Sequence, residues 1–186
     1  DFERHASSNT GVLCGGSKHL IAIDVDVTRP VASKELLALG LETLGDAPRR
    51  VGKAPKFLLV YRASEPMRKL KSLIFKIDNE DCAVEILAEG QQFIAAGTHP
   101  GTCEPYIWPD DHLTDYPIDD LTHVTPEQVH DFLRQANRVL SKYGQAKGKS
   151  SSKYAHKPQT FDHMLNNNAA LISEITSNIA WHDPML

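Results

Sequence analysis

The sequence predicts an α+β fold for this chain of 186 residues. The predicted elements run in the order strand, strand, helix, several strands and then helices, which is an α+β arrangement. Each element follows from one of two signals, an apolar run of strand length or apolar residues at helical spacing. With 41% hydrophobic residues, the chain has enough apolar material for one domain with its own core.

The individual elements follow from local patterns. Strands are predicted where short apolar runs are bounded by Gly, Asn or Asp. Ser33 is the predicted N-cap of the first helix, and Gly45 is its stop. Thr125, followed by Pro126 and Gln128, forms a capping-box pattern at the start of the second helix. The predicted elements are strands at 12–14, 20–27, 57–62, 72–77, 83–87 and 92–96, turns at 15–17 and 78–81, a loop at 97–108 ending in a short aromatic strand, and helices at 33–44, 125–143 and 161–179.

Composition argues against several classes of protein. No apolar run approaches the roughly 18 residues that a membrane-spanning helix needs, and no signal peptide is visible. Cys14, Cys82 and Cys103 are scattered without CxxC spacing, which is typical of reduced thiols in a cytoplasmic protein. The net charge of −4 argues against a protein that binds polyanions over its whole surface, although it is compatible with a local basic surface.

Asp24 and Asp26 are the most informative residues of the chain. They stand near the end of the apolar run LIAIDVDV, and side chains two apart on a strand point to the same face. Two converging carboxylates repel each other unless a cation lies between them, and oxygen ligands favour Mg²⁺ or Mn²⁺. Enzymes that transfer phosphoryl or nucleotidyl groups hold their metals in this way. The alternative is that one aspartate caps the strand end and the other is solvated.

Glu85 is a candidate third carboxylate. It is the single charge inside the apolar strand segment AVEIL, and two-metal sites usually need a third acid. By itself, the pattern favours simple alternation, with Glu85 on the wet face of the strand, and the presence of Asp24 and Asp26 shifts the balance toward a metal ligand.

Five cations follow the first helix within fourteen residues, and they are candidate phosphate contacts. A triphosphate at a metal site needs such partners because the metals neutralise only part of its charge. The alternative is an exposed basic loop. The five cations are Arg49, Arg50, Lys53, Lys56 and Arg62.

Further candidates lie later in the chain. His99 stands in the Gly- and Pro-fixed turn GTHP, close enough to Glu85 in sequence to return to the same site. Tyr106 and Trp108 are candidates for stacking on a base, although alternate aromatic residues are also typical of core packing. Lys147 and Lys149 begin a Gly-, Ser- and Lys-rich stretch that is either a solvated linker or a contact to nucleic acid.

Taken together, these motifs resemble the primase–polymerase domains of the archaeo-eukaryotic primase superfamily. The closest resemblance is to the bifunctional DNA primase/polymerase domain of phage, plasmid and mobile-element replication proteins. It covers about residues 11–109, from GVLCGGSKHLIAIDVDV through FLLVYR to VEILAEGQQFIAAGTHPGTCEPYIW. The resemblance implies an antiparallel sheet like that of an RNA-recognition motif with packed helices, a small N-terminal α/β unit, and an active-site cleft between them.

The resemblance also implies roles for the candidate residues. Asp24, Asp26 and Glu85 match the acids that bind two divalent ions, Mg²⁺ or Mn²⁺, and catalyse nucleotidyl transfer from NTP or dNTP. The cations and His99 match triphosphate contacts, with Lys56, Arg62 and His99 the strongest candidates. One departure is that many members have a Gly-x-His between the acidic motifs, where this chain has Ala54-Pro55-Lys56.

The expected protein is a template-directed DNA primase or polymerase acting in the replication of a phage or mobile element. Its expected partners are a single-stranded DNA template, a primer, nucleotides and a fused or separate helicase/ATPase, with no membrane and a cytoplasmic location in a bacterial host. The expected organisation is a catalytic core at 1–143, a flexible linker at 144–160 and a C-terminal helix at 161–186 leading toward a further domain. The alternatives are a non-catalytic nucleic-acid-binding or nucleotide-binding module and a DxD metal-dependent glycosyltransferase.

Overall fold

The computed structural model describes residues 8–147, which form a mixed α+β fold with two helices and antiparallel sheets. The predicted α+β class is therefore confirmed. Short 3₁₀ turns lie at Gly16–Lys18, Leu113–Asp115 and Ile118–Asp120. The strands are β1 (Thr10–Leu13), β2 (Leu20–Asp26), β3 (Arg49–Arg50), β4 (Phe57–Ala63), β5 (Leu70–Lys71), β6 (Phe75–Ile77), β7 (Glu80–Leu87), β8 (Gln92–Ala96), β9 (His123–Val124) and β10 (Gln145–Ala146), and the helices are α1 (Pro30–Leu44) and α2 (Pro126–Ser141).

The strand β2 lies at the centre of the main sheet. It is antiparallel to β4 on one side and to β7 on the other, and the order across the sheet is β10-β6-β7-β2-β4-β3. The short strand β5 adds to β7, and β9 adds to β4 in parallel. The strands β1 and β8 form a separate antiparallel pair. The DxD strand is thus flanked by paired strands on both sides, which fixes where its side chains point.

The two faces of the main sheet have different surroundings. Ile21, Ile23 and Val25 of β2 are fully or almost fully buried in the main core, together with Leu36 of α1 and Phe132 of α2. Alternate residues of β2 point to the opposite face because side chains alternate along a strand. A second, smaller cluster lies on that face and joins apolar residues of β2 and β4 to the β1–β8 pair; it contains Cys14, Leu20, Ala22, Leu58, Val60, Leu87, Phe93, Ala95 and Leu121.

The first helix differs from its prediction at its start. It begins at Pro30 with Arg29 as the N-cap residue, so Ser33 lies inside the helix and the prediction that Ser33 is the cap was wrong. Proline at the first helical position supplies a φ angle already suited to the helix, which explains the earlier start. The Ser33 hydroxyl is buried and donates to the carbonyl oxygen of Pro55 at 2.5 Å. The predicted stop at Gly45 is confirmed, with a φ of 90°.

The second helix confirms its capping prediction. The Thr125 hydroxyl accepts from the Gln128 N–H at 3.3 Å, and the Gln128 side chain accepts from the Thr125 N–H at 2.8 Å. The helix ends at Ser141, two residues before its predicted end at 143. The strand predicted at 92–96 has those bounds in the structure.

The region before β8 is more finely divided than predicted. The segment predicted as one strand at 72–77 is β6 with a separate β5 before it, and β7 starts at Glu80, earlier than the predicted 83. Asp78 and Asn79 form a two-residue hairpin turn with φ of 49° and 64°, a conformation that Asn and Asp tolerate. The aromatic strand predicted at the end of 97–108 is reduced to a bridge between Val51 and Ile107.

The end of the described chain adds one strand to the sheet. Gln145 and Ala146, placed in the predicted linker, pair with β6. Residues 148–160 of that linker, which include Lys149, and the helix predicted at 161–179 lie outside the described residues. Within residues 8–147, neither helix is long and apolar enough to cross a lipid bilayer.

Candidate active site

The three candidate acids lie on one face of the main sheet. Asp24 and Asp26 are two residues apart on β2, and Glu85 of β7 lies directly opposite Asp24 in the antiparallel register. Directly opposed side chains on antiparallel strands have Cβ atoms about 5 Å apart. We call this the acid face; it is the face opposite the two helices. The register therefore brings Glu85 next to the aspartate pair, although about sixty residues separate them in the sequence.

A cleft of about 320 Å³ opens over the acid pair. Its size lies within the range of small-molecule sites. It combines two carboxylates, three cationic side chains, a histidine and a tyrosine with an apolar floor. The lining residues are Asp24, Asp26, Arg50, Gly52, Lys53, Lys56, Phe57, Leu58, Leu87, Gln92, Phe93, Ile94, His99 and Tyr106.

Asp24 is the most perturbed acid in the cleft. Burial raises its pKa to about 6, and the charges of Asp26 and Glu85 add to that increase. The nearby Arg50 and Lys56 oppose it. Ionisation of Asp24 is therefore costly in the protein alone. A bound cation would offset this cost, so the site favours one.

Asp26 faces a single lysine. Lys56 Nζ lies 2.5 Å from Asp26 Oδ1 in an ion pair, and half of the Asp26 side chain is exposed. Both side chains line the cleft. Carboxylate oxygens such as those of Asp26 are the ligands that hard divalent cations prefer.

Glu85 is bound by two lysines. Lys69 Nζ lies 2.5 Å from one carboxylate oxygen of Glu85, and Lys71 Nζ lies 2.6 Å from the other. Burial opposes ionisation of Glu85, but the two lysines together outweigh it and lower the pKa of the carboxyl. Neither lysine was a candidate from the sequence, because a two-residue strand such as β5 carries no periodic signal.

The donor set fits a divalent cation at the aspartate pair. Asp24 and Asp26 supply hard oxygen ligands from successive same-face positions of β2, and burial makes the charge on Asp24 costly without a nearby cation. Among residues 8–147, no three His, Cys, Asp or Glu side chains are already grouped closely enough to bind one ion. Glu85 could join the pair only by releasing Lys69 and Lys71.

Arg50 forms the cationic wall of the cleft next to Asp24. Its guanidinium donates to the carbonyl oxygen of Ile94 at 2.6 Å and lies 4.6 Å from the ring centroid of Tyr106. Its Nε is buried without a hydrogen-bond partner. A Cβ at Gly52 would lie 2.3 Å from the Tyr106 ring, so glycine is needed for this close approach. Arg50 is thus fixed in place at the lining of the cleft.

His99 lies on the rim of the same cleft. Its Nδ1 accepts from the Gly101 N–H at 3.1 Å, so in the neutral ring the proton is on Nε2. The ring meets Tyr106 edge-on, with 5.4 Å between the ring centroids. The predicted neighbours Lys53, Lys56, His99 and Tyr106 therefore come together with the acid pair.

Four other candidates are placed away from the cleft. Arg62 lies at the far end of β4, where it donates to Asp119 at 2.8 Å and is largely buried. Arg49 pairs with Asp110 at 3.1 Å and lines a different pocket next to α1.

The Trp108 indole donates to the carbonyl oxygen of Ala95 at 2.9 Å and packs against the smaller core cluster. Lys147 forms an ion pair with Asp81.

The positions of the arginines and of Lys56 follow from the alternation of side chains along β3 and from the two ends of β4. Arg49 and Arg50 are consecutive on β3, so only one of them can face the acids, and the register selects Arg50. Lys56 and Arg62 flank β4, and Asp24 pairs near the Lys56 end. The predictions that Arg49 and Arg62 contact a triphosphate in this cleft, and that Trp108 stacks on a base, are therefore not supported by their positions.

The buried charge on Asp24 predicts an unusual dependence of stability on pH. Between pH 4 and 6 the folded protein keeps a proton on Asp24 that the unfolded chain has released, so stability falls as pH rises through this window. The loss amounts to about 3 kcal/mol. We therefore expect Asp24→Asn to unfold at higher urea concentration than the wild type above pH 6, with a chelator present. An Asp24→Asn protein less stable than the wild type at pH 7 would contradict this account.

Comparison with known protein families assigns the chain. No curated protein matches it. The profile of the family described as bifunctional DNA primase/polymerase, N-terminal, matches residues 2–126, which is 125 of the 186 residues. The matched segment includes the acid pair, Glu85 and every residue that lines the cleft. The chain therefore belongs to the family of bifunctional DNA primase/polymerase N-terminal domains.

Proposed function

We propose that this chain catalyses template-directed nucleotidyl transfer, as a DNA primase, a DNA polymerase or both, in the replication of a phage or mobile element. One observation supports this most strongly. The acid pair Asp24–Asp26 lines a cleft that Arg50, Lys56 and His99 also line. Carboxylates and cations in one cleft match a metal-bound triphosphate, which presents both positive and negative charge. The family membership supports the same reaction class.

The acids would hold the divalent ions on which members of this family generally depend. Asp24 and Asp26 would bind Mg²⁺ or Mn²⁺ directly, and Glu85 would join them after leaving its lysines. When bound, such ions activate the attacking 3′-hydroxyl and stabilise the charge on the leaving pyrophosphate. Burial makes an ionised Asp24 costly when no counter-charge is near. A bound divalent ion would supply that counter-charge.

The cations of the cleft would bind and orient the triphosphate. Arg50 is already fixed by Ile94 and Tyr106, so little side-chain entropy would be lost when its guanidinium meets a phosphate oxygen. Lys56 would exchange its contact with Asp26 for a phosphate once Asp26 binds a cation. Lys53 is exposed at the mouth, and His99 can donate from Nε2. Lys56 thereby replaces the histidine that many relatives carry.

Arg50 gives the sharpest prediction for nucleotide binding. We expect Arg50→Lys to raise the KM for dNTP about tenfold, because lysine keeps the charge but lacks the planar fork and the stacking on Tyr106. The control is Arg49→Lys, which makes the same change on the other face of β3. Steady-state incorporation over a range of dNTP concentrations measures both. Equal KM values for the two variants would contradict the role of Arg50.

The finer architecture also belongs to this proposal. We propose that the central antiparallel strands with α1 and α2 correspond to a sheet like that of an RNA-recognition motif, with a small N-terminal α/β unit beside the cleft. The antiparallel pairing of β2 with β4 and β7, with the helices on one face, supports this. A single-stranded DNA template, a primer and a fused or separate helicase/ATPase would be the partners, in the cytoplasm of a bacterial host.

A non-catalytic module is the second candidate. It is favoured by the lysines on the acids, since Lys56 on Asp26 and two lysines on Glu85 supply positive charge without a metal. Such a domain would bind nucleic acid or nucleotides without incorporation. The DxD glycosyltransferase hypothesis gains no support from the family match.

The test is incorporation of labelled nucleotides on primed and unprimed single-stranded DNA, with Mg²⁺ or Mn²⁺. Metal-dependent extension of the primer would establish a polymerase, and products on the unprimed template would add primase activity. DNA or nucleotide binding without any product would contradict the enzymatic proposal and select the non-catalytic module.

A further inference from the structure

A row of four lysines extends from the candidate active site to the edge of the sheet. It consists of Lys69, Lys71, Lys76 and Lys147, and we call it the lysine row. Lys71 lies opposite Glu85, and Lys76 lies opposite Asp81, in the registers of β5 and β6 with β7. Since Asp81 and Glu85 are four residues apart on one strand, both point to the acid face.

Asp81 and Glu85 are each paired with two of these lysines. Lys69 and Lys71 contact Glu85, while Lys76 and Lys147 contact Asp81. Four ammonium groups therefore face two carboxylates. Release of Glu85 to a metal ion would leave the first two lysines without their acid. The lysine row therefore carries more positive than negative charge whether or not Glu85 stays paired with its lysines.

The lysine row is accessible to a large ligand. The four side chains are between 41% and 49% exposed, and the two helices pack on the other face of the sheet. The two lysine pairs lie about 13 Å apart along β7, because a strand rises about 3.3 Å per residue. Exposed ion pairs of this kind add little to stability. Their alignment with the cleft is better explained by a ligand that has repeated negative charges.

We propose that the lysine row binds the phosphate backbone of single-stranded DNA and leads it across β7 to the acid pair. This inference rests on the proposed function, because it identifies the surface on which the template of that reaction lies. The contacts are to phosphates and carry no sequence information, so binding is independent of base sequence. The carboxylates of Asp81 and Glu85 compete with the DNA for the same lysines.

The test compares two variants of the full chain with opposite expected effects. We expect Lys76→Gln/Lys147→Gln to bind a labelled oligothymidylate about tenfold more weakly than the wild type at moderate salt. The slope of log K against log salt concentration should become shallower by about 1.4. We expect Asp81→Asn to bind the oligonucleotide more tightly, because both lysines lose their competitor. A purely structural ion-pair cluster would show neither effect.

The matched control is Lys34→Gln/Arg138→Gln, which removes two exposed cations from the helices on the opposite side of the sheet. Unchanged affinity in the control with weaker binding by Lys76→Gln/Lys147→Gln would support the lysine row. Equal affinity for both double variants and the wild type, while the wild type still incorporates nucleotides, would overturn the lysine row alone. DNA binding through the row without any incorporation by the wild type would overturn the proposed function alone.

Discussion

Asp26→Asn should reduce nucleotide incorporation by at least about a thousandfold, since loss of a metal-binding carboxylate removes several kcal/mol of transition-state stabilisation. The amide has nearly the same shape but lacks the charge that attracts a divalent cation. It also leaves Lys56 without its counter-charge at 2.5 Å. Primer extension with excess enzyme, at saturating Mg²⁺ or Mn²⁺, measures the residual rate.

The control for this substitution is Asp131→Asn. Asp131 lies on α2, on the other side of the sheet, where it accepts from Arg134 at 2.8 Å. We expect that variant to retain wild-type incorporation. Near-normal incorporation by Asp26→Asn, with Asp131→Asn equally active, would show that the acid pair does not bind the catalytic metal.

Phe132→Ala should lower the free energy of unfolding by about 3–5 kcal/mol, because it leaves a large cavity in the main core. Phe132 is fully buried on α2 and packs toward α1, where a Cβ added at Gly40 would come within 3.7 Å of its ring. A loss of this size is a large share of the stability of a typical domain. Thermal and urea unfolding of the metal-free protein would measure it.

Arg134→Ala provides the comparison on the same helix. Its side chain is 69% exposed, and its ion pair with Asp131 is of the surface kind that contributes little. We expect a change of about 0.5 kcal/mol or less. If Phe132→Ala and Arg134→Ala had similar effects, the packing of α2 against the sheet and α1 would be wrong.

Local signals were sufficient where a few adjacent residues decide the outcome. The capping box of Thr125 and Gln128 and the stop at Gly45 are of this kind. The convergence of Asp24 and Asp26 is another, because it needs only the two-residue period of a strand. Ser33 failed as a cap because Pro30 starts the helix three residues earlier.

Long-range register explains most of what the sequence could not predict. Nothing local to β7 shows that Glu85 pairs with Asp24; Glu85 was grouped with the aspartates because two-metal sites usually need a third acid, and the resemblance to a family supported that grouping. The register of β3 with β4 decides that Arg50, and not Arg49, faces the acids. Lys69 and Lys71 were missed because their contacts depend on the pairing of β5 with β7. A strand of two residues is too short to show a periodic sequence pattern. Trp108 was a candidate for stacking on a base, with core packing as the alternative, and its indole packs against the smaller core cluster.

The central claim is that the acid pair and the cations that line the same cleft form one site for a metal-bound nucleoside triphosphate. Titration with Mn²⁺, followed by electron paramagnetic resonance with and without dNTP, tests it most directly. We predict that the wild type binds Mn²⁺, that dNTP tightens this binding, and that Asp24→Asn/Asp26→Asn loses both while Asp131→Asn keeps them. Mn²⁺ binding of equal strength in the Asp24→Asn/Asp26→Asn protein and the wild type would contradict the claim.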